Sequence, residues 1–313
     1  MRSFTQSFIS LKKSCMLPIF TFHRIGKAND PYDPNIPEAD TFESQLLWIK
    51  DQFEVIPLDI ACRQLFAGKL RKGAAAITFD DGHIDNFEVA LPILKRHDLL
   101  ATFFVCTGFL EGRLMFNDFI NAAIGQSLSS TIDLSALGLG CIDIQTQARR
   151  GSIIEALVTK VKYIDLEKRE EFLKILGTAC KFTPVREQMM NVSHLKQLVE
   201  SGMQIGAHTK NHPILRLTSE KTAFEEINGC ADTLENILGF RPALFAYPNG
   251  KHGDDYDERD ASIVKSSGFE FAFSTEYRVA TNRCDPYQVP RLSLWSKSRI
   301  AHEARIIKEL LIA

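Results

Sequence analysis

Two adjacent carboxylates, Asp80 and Asp81, close an apolar run in the segment AITFDDG and stand immediately before a glycine. Carboxylates side by side at the end of a core strand repel one another unless a cation or hydrogen bonds hold them. A bound metal answers that need; the bland alternative is a glycine-terminated turn with a solvated Asp pair. A second segment, GMQIGAHTKNHPIL, sets His208 and His212 four residues apart after another short apolar run. One helical turn or a tight loop aims both imidazoles at one point. Alone, this spacing is weak, because it arises by chance on surface helices. Two histidines with one carboxylate leave a coordination position open for water, the donor set of a catalytic rather than a structural zinc-type site.

The elements that must carry these residues follow from the hydrophobic pattern. Short apolar runs predict strands at Leu17–His23, Ala74–Asp80, Ala101–Cys106, Gln204–His208, Leu244–Tyr247, Phe269–Ser274 and Gln288–Leu294. Helical periods lie between them at Thr41–Gln52, Asn86–His97, Ser193–Ser201, Ser219–Leu238 and Arg259–Ser267. Ser193 and Ser219 read as N-caps, and Gly202, Gly239 and Gly268 as C-terminal stops. Alternating βα units predict an α/β fold, a barrel or a strongly curved parallel sheet, in which active sites assemble at the C-terminal strand ends. The stretch from about 110 to 190 breaks the rhythm, with helices at Asn117–Ser127 and, long and interrupted, Ser152–Lys181, and an irregular Gly138–Ile144. Such an insertion makes a lid or wall for substrate, or merely covers the barrel.

Size and composition bound the partners. With 313 residues, 45% apolar and 24% charged, the chain is expected to form one domain, 1–313, with a sizeable core. A net charge of −2 and the lack of basic tracts interleaved with aromatics disfavour nucleic acid. Lys12 and Lys13 interrupt the apolar N-terminus, no signal peptide is read there, and no apolar run is long enough to span a bilayer. The seven cysteines are scattered and never in CxxC spacing, which fits reduced packing thiols and a cytoplasmic location.

Together, TFDDG, HTKNH and the intervening ALPILKRHDLLATFFVCTGFL strongly resemble the polysaccharide deacetylases, the NodB-homology or family-four carbohydrate esterases. The resemblance runs from about Pro18 to Leu294, the insertion excepted. It implies a distorted (β/α)7 barrel with a helical insertion, a divalent metal ion held by Asp81, His208 and His212, and Asp80 as general base. Zinc leads among the ions, with cobalt, nickel, iron and manganese also compatible with these donors. FAYPNG resembles the family's third motif and makes the Asn249 N–H a candidate oxyanion donor, or else an ordinary turn. Where relatives carry a bracing Arg, this sequence has Ala246; Arg291, in DPYQVPRLSL, is the candidate replacement, against a structural ion pair. The late motif that supplies an acid His in many relatives is missing. LPIFTFHRIG, however, resembles the opening strand of the circularly rearranged branch that includes exopolysaccharide and poly-N-acetylglucosamine deacetylases, and this makes His23 the candidate acid.

Tyr247, Trp295 and Phe116 are candidate rings for sugar faces, with core packing as the default. His83 reads as a surface residue more than a pocket residue. His97, His194, His252 and His302 carry no companion motif. The expected activity is hydrolysis of an N-acetyl, or alternatively O-acetyl, group from an oligosaccharide, polysaccharide or lipid-linked precursor in surface-glycan or exopolysaccharide biosynthesis. Its rivals are an amidohydrolase of small non-sugar amides, which the insertion's pocket walls would distinguish, and a glycan-binding protein without catalysis, against which the retained Asp80 argues. Oligomeric state is not legible.

Overall fold

A two-residue period along each predicted strand sorts side chains onto two faces, and the fold keeps both faces buried. The computed structural model describes residues 15–26, 32, 36–110, 112–183, 188–294 and 299–312. The readings made on residues 1–14 and on Trp295 lie outside the described residues. Strands β1 (Ile19–Phe22), β2 (Ala74–Phe79), β3 (Thr102–Val105), β4 (Gln204–Ala207), β5 (Leu244–Ala246), β6 (Phe271–Tyr277) and β7 (Val289–Ser293) pair in parallel, each with its neighbour in chain order. β7 then pairs with β1, with Leu292 opposite Phe20, and closes a seven-stranded barrel. The expected (β/α)7 architecture is what forms.

Alternation assigns the faces. Ile19, Ala74, Ala76, Phe104, Leu244, Ala246, Phe271, Phe273 and Val289 form one apolar cluster, while Phe20, Phe22, Ala75, Ile77, Phe79, Phe103, Val105, Phe245 and Leu292 join a larger one with the helices. The first cluster is the barrel interior and the second is the sheet-to-helix layer. Following the inner register toward the strand ends leads from Ala74 and Ala76 to Thr78 and Asp80, and from Ile19 to Thr21. The Thr21 and Thr78 hydroxyls lie 3.1 Å apart. The interior is therefore apolar below and polar above.

Prolines explain two departures from the predicted elements. The first strand breaks at Pro18: Met16–Leu17 pairs antiparallel with Ala280–Thr281 outside the barrel. The helix expected over Asn86–His97 is a π turn, Asn86–Ala90, followed by a short α-helix, Leu91–Arg96, with Pro92 in its first turn. Pro92 has no N–H to give to an i−4 carbonyl, so the chain widens there. Ser219 caps the helix Glu220–Leu238 as expected, by accepting from the Thr222 N–H. The helix Val192–Glu200 is capped by Asn191 rather than Ser193, and His194 completes a capping box with it.

The insertion folds around its own apolar cluster, which includes Ile120, Leu157, Phe172 and Leu176. Helices Phe116–Gly125, Gln147–Lys162 and Leu166–Cys180 carry it, the last two capped by Thr146 and Asp165. The segment read as irregular holds a strand, Cys141–Asp143, paired antiparallel with Thr131–Asp133 around a turn in which Gly138 has φ 70°. Arg150 fastens helix to hairpin by donating to the Ile124, Gly125, Ser129 and Ile144 carbonyls. On leaving the insertion the chain lies along residues 82–84, with Met190 N–H donating to Gly82 O and Ile84 N–H to Gln188 O. No helix among the described residues is long and apolar enough to cross a membrane. All seven cysteines are free thiols.

Candidate metal-centred active site

Asp80 leaves β2 on the inner register and is buried, 1% exposed. Its charge is met by Arg291 of β7, which is fully buried and donates from Nη1 to Oδ1 and from Nη2 to Oδ2, both at 2.7 Å. A two-pronged guanidinium–carboxylate contact fixes both groups in one plane. Arg291 is itself held by Nε donating to the Ser274 carbonyl at 3.0 Å. Burial would raise the Asp80 pKa, but the Arg291 charge and its hydrogen bonds, with His208 and His23 nearby, keep it below the ordinary value. Asp80 is therefore ionised at neutral pH. His23, at the end of β1, brings Nε2 within 3.9 Å of Asp80 Oδ2. Its pKa is lowered, chiefly by burial, against the pull of Asp81 and Asp80.

Asp81 turns out of the strand register with φ 76°, which carries its carboxylate to the histidines. Its Oδ1 is 3.4 Å from Nε2 of both His208 and His212, and ligand atoms of the three residues all lie within 4.8 Å of one another. His208 Nδ1 is 2.7 Å from the Ala246 carbonyl, which can only accept, so this nitrogen carries a proton and Nε2 is the atom turned toward Asp81. Burial works against the His208 charge, but Asp81 and Asp80 carry its pKa above the ordinary value. His212 is neutral: burial pushes its pKa down to about 3. Burial works against the charge on Asp81, yet the His208 and His83 side chains beside it hold its pKa well below the ordinary carboxylate range. One carboxylate oxygen and two aimed nitrogens form a donor set that fits a divalent ion.

Left-handed backbone marks the same motifs. Among the described residues, the non-glycine positions with positive φ are Asp81, Thr209, His212 and Asn249, plus Asp98 and Lys181 elsewhere. Four of these six belong to the DDG, HTKNH and PNG segments, where strain is retained for what it positions. The HTKNH loop is further tied by the Thr209 hydroxyl, which accepts from His212 N–H at 3.1 Å. Buried Glu226 accepts from the Lys210 and Asn211 N–H groups and from the Asn211 side chain. The half-buried Asn249 stands in a turn braced by Thr275, whose N–H donates to the Gly250 carbonyl.

Two expectations are corrected. Tyr247 is not a platform for sugar: it is fully buried, its ring stacks on Tyr256 at 3.7 Å, and its hydroxyl donates to the Tyr287 carbonyl. His83 is not a surface residue but 1% exposed, and it helps line a cavity of about 120 Å3 with His23, Arg24, Asp81, Asn117 and Asp118. Phe116 follows the default packing reading, in the insertion core beneath the Arg169 guanidinium at 4.6 Å.

The residues that sequence reasoning missed come from the insertion. Asp118 reaches the cavity wall, and buried Arg169 donates to the His212 carbonyl at 3.1 Å. His83 carried one usable signal, its adjacency to DDG. Asp118 and Arg169 carried none.

The model of the family described as polysaccharide deacetylase matches residues 67–129 and 174–272, more than half of the chain, and skips most of the insertion. YxkH of Bacillus subtilis, a protein named for the same family, is 30% identical over 290 residues, which is 92% of this chain and 75% of that protein. The poly-beta-1,6-N-acetyl-D-glucosamine N-deacetylase of Staphylococcus aureus is 22% identical over 253 residues, 80% of this chain but 65% of that enzyme, so less than two thirds of its length is spanned. Among solved structures, the Streptococcus pyogenes deacetylase PplD superposes with a TM-score of 0.63 at 19% identity, covering 95% of this chain and 99% of its own. IcaB from Ammonifex degensii gives 0.61 at 18% identity, with 94% and 97% covered. These two likenesses concern the fold.

Proposed function

Because the chain belongs to the polysaccharide deacetylase family, we propose that it is a metal-dependent hydrolase that removes the N-acetyl group of an amino sugar in an oligosaccharide, polysaccharide or lipid-linked precursor of a surface glycan or exopolysaccharide. The observation that carries this reading is the juxtaposition of two differently held carboxylates. Asp80 is locked to Arg291 as a base, while adjacent Asp81 is turned toward His208 and His212 as a ligand. The likeness to a poly-N-acetylglucosamine deacetylase supports the amino sugar.

Asp81, His208 and His212 would hold a divalent ion, zinc foremost, which when bound acidifies water and polarises the acetyl carbonyl. The chain's own groups supply the rest. Asp80 accepts the proton of the attacking water, and Arg291 keeps it ionised and oriented for that transfer. The proton that Asp80 takes from water must reach the leaving nitrogen, and His23, 3.9 Å from Asp80, is the candidate group to carry it there. The Asn249 N–H is the candidate donor for the oxyanion.

The test is acetate release from a panel of N- and O-acetylated oligosaccharides by zinc-loaded protein. Asp80→Asn is expected to retain the ion and lose about 10²–10⁴-fold in kcat, and His23→Ala to lose kcat with little change in KM. Removing the ion with a chelator is expected to abolish release, and re-addition to restore it. Zinc uptake with no release from any sugar would overturn the reading in favour of a small-amide hydrolase or a glycan-binding protein.

A further inference from the structure

His83 is an unusual residue to bury beside a cluster of charges, and its surroundings give it a job. The ring lies between two carboxylates, Nε2 at 3.5 Å from Asp81 Oδ2 and Nδ1 at 3.7 Å from Asp118 Oδ2. Asp81 thus divides its oxygens: Oδ1 faces both histidine ligands and Oδ2 faces His83. Asp118, 6% exposed, divides its own in the same way, since Oδ1 accepts from Arg24 Nη1 at 3.2 Å while Oδ2 faces the imidazole. Arg24 is anchored in turn on Asp85 at 3.1 Å. The backbone around the ring has little freedom, because 82–84 is pinned to 188–190 where the insertion ends.

A residue buried for packing alone would be apolar, since two buried carboxylates and an imidazole carry a desolvation cost that hydrophobic side chains avoid. Outer groups that hydrogen-bond a ligand fix its orientation and strengthen the ion's grip. We propose that His83 is a positioning residue which, steadied by Asp118 of the insertion, holds the far oxygen of Asp81 so that Oδ1 alone faces the ion. The insertion thereby sets how tightly the metal is retained. This rests on the metal reading above, and it adds a residue pair and a part of the chain that the reading does not require.

The experiment measures zinc dissociation constants by competition with a chromophoric chelator, and the visible absorption of the cobalt(II)-loaded protein, for the full-length chain. His83→Phe is expected to weaken zinc retention about 10–100-fold and to alter the cobalt bands. His83→Gln, which keeps one N–H donor, is expected to recover part of the loss. Asp118→Asn should weaken retention in the same direction, and the double variant His83→Phe with Asp118→Asn should be no worse than His83→Phe alone, because both act through one contact. Should His83→Phe fail to fold, as judged by circular dichroism of the apoprotein, the Gln and Asn variants decide. Wild-type affinity and unchanged cobalt bands in the altered proteins would overturn the proposal, as would fully additive losses. Failure here leaves acetate release by the wild type intact, whereas metal uptake without acetate release removes the deacetylase reading alone. A wild-type chain that takes up no ion overturns both.

Discussion

Arg291 and Asp80 are each buried with the other as principal counter-charge, so neither is an independent site for mutation. Arg291→Ala leaves an uncompensated buried carboxylate and is expected to cost about 3–5 kcal/mol in urea unfolding. Arg291→Lys should fall between, since a point charge cannot span both oxygens. The pH dependence has a definite sign. The folded pKa of Asp80 lies below its unfolded value, so the pair contributes stability above about pH 4 and loses it as pH falls through the depressed folded value. Without Arg291, burial meets fewer opposing charges and the pKa rises, so the acidic limb of the kcat/KM profile should move to higher pH. No shift of that limb would remove Arg291 from its bracing role. Asp80, Asp81, His208, His212, Arg291 and His23 could be named as candidates from the sequence because each falls in a segment that resembles a family motif or is carried by a readable strand. His83 was named there but misread, since nothing local announces that Asp118 will bury it from a distant helix.

Elements became legible where alternation and length agreed, and illegible where one residue overrode the pattern. The inner face of each barrel strand is readable from every second residue. The break at Pro18, the π turn before Pro92 and the hairpin at Thr131–Asp133 with Cys141–Asp143 are decided by a missing N–H or by pairing between short polar segments. Two predictions belong at this scale. In β4 a Cβ on Gly206 would collide with the Phe104 ring, and that ring packs on Phe273 and lies under Arg291 at 5.5 Å. Gly206→Ala is therefore expected to cost about 1–3 kcal/mol in thermal or urea unfolding and to lower kcat, because the displaced ring pushes on the arginine. From the insertion, Arg169 holds the Asn211, His212 and Lys162 carbonyls. Arg169→Met should speed amide exchange over 209–213 and cost about 1–3 kcal/mol, as buried carbonyls lose their donor. Exchange unchanged in that loop would mean that the insertion only rests on the barrel.

At the scale of the whole molecule, the groups of the candidate site come from strands early, midway and late in the chain, and only closure of the barrel brings them together. His23 follows the first barrel strand, Asp80 and Asp81 the second, His208 the fourth, and Arg291 lies on the last. Metal uptake should therefore stabilise the entire cooperative unit rather than one loop. Zinc at about a hundred times its dissociation constant is expected to add roughly 2.7 kcal/mol, read as a rise in Tm that a chelator reverses. A local gain with no change in Tm would contradict that coupling. Chain order then acquires a meaning in time. Asp80 and Arg291 are 211 positions apart, and β7, which carries the arginine, is also the strand that closes on β1. During synthesis the carboxylate emerges long before its guanidinium, so the upper mouth of the barrel must stay hydrated until the last strand arrives. A chain that stops short of β7 would carry every proposed metal ligand and still lack the counter-charge with which Asp80 is buried.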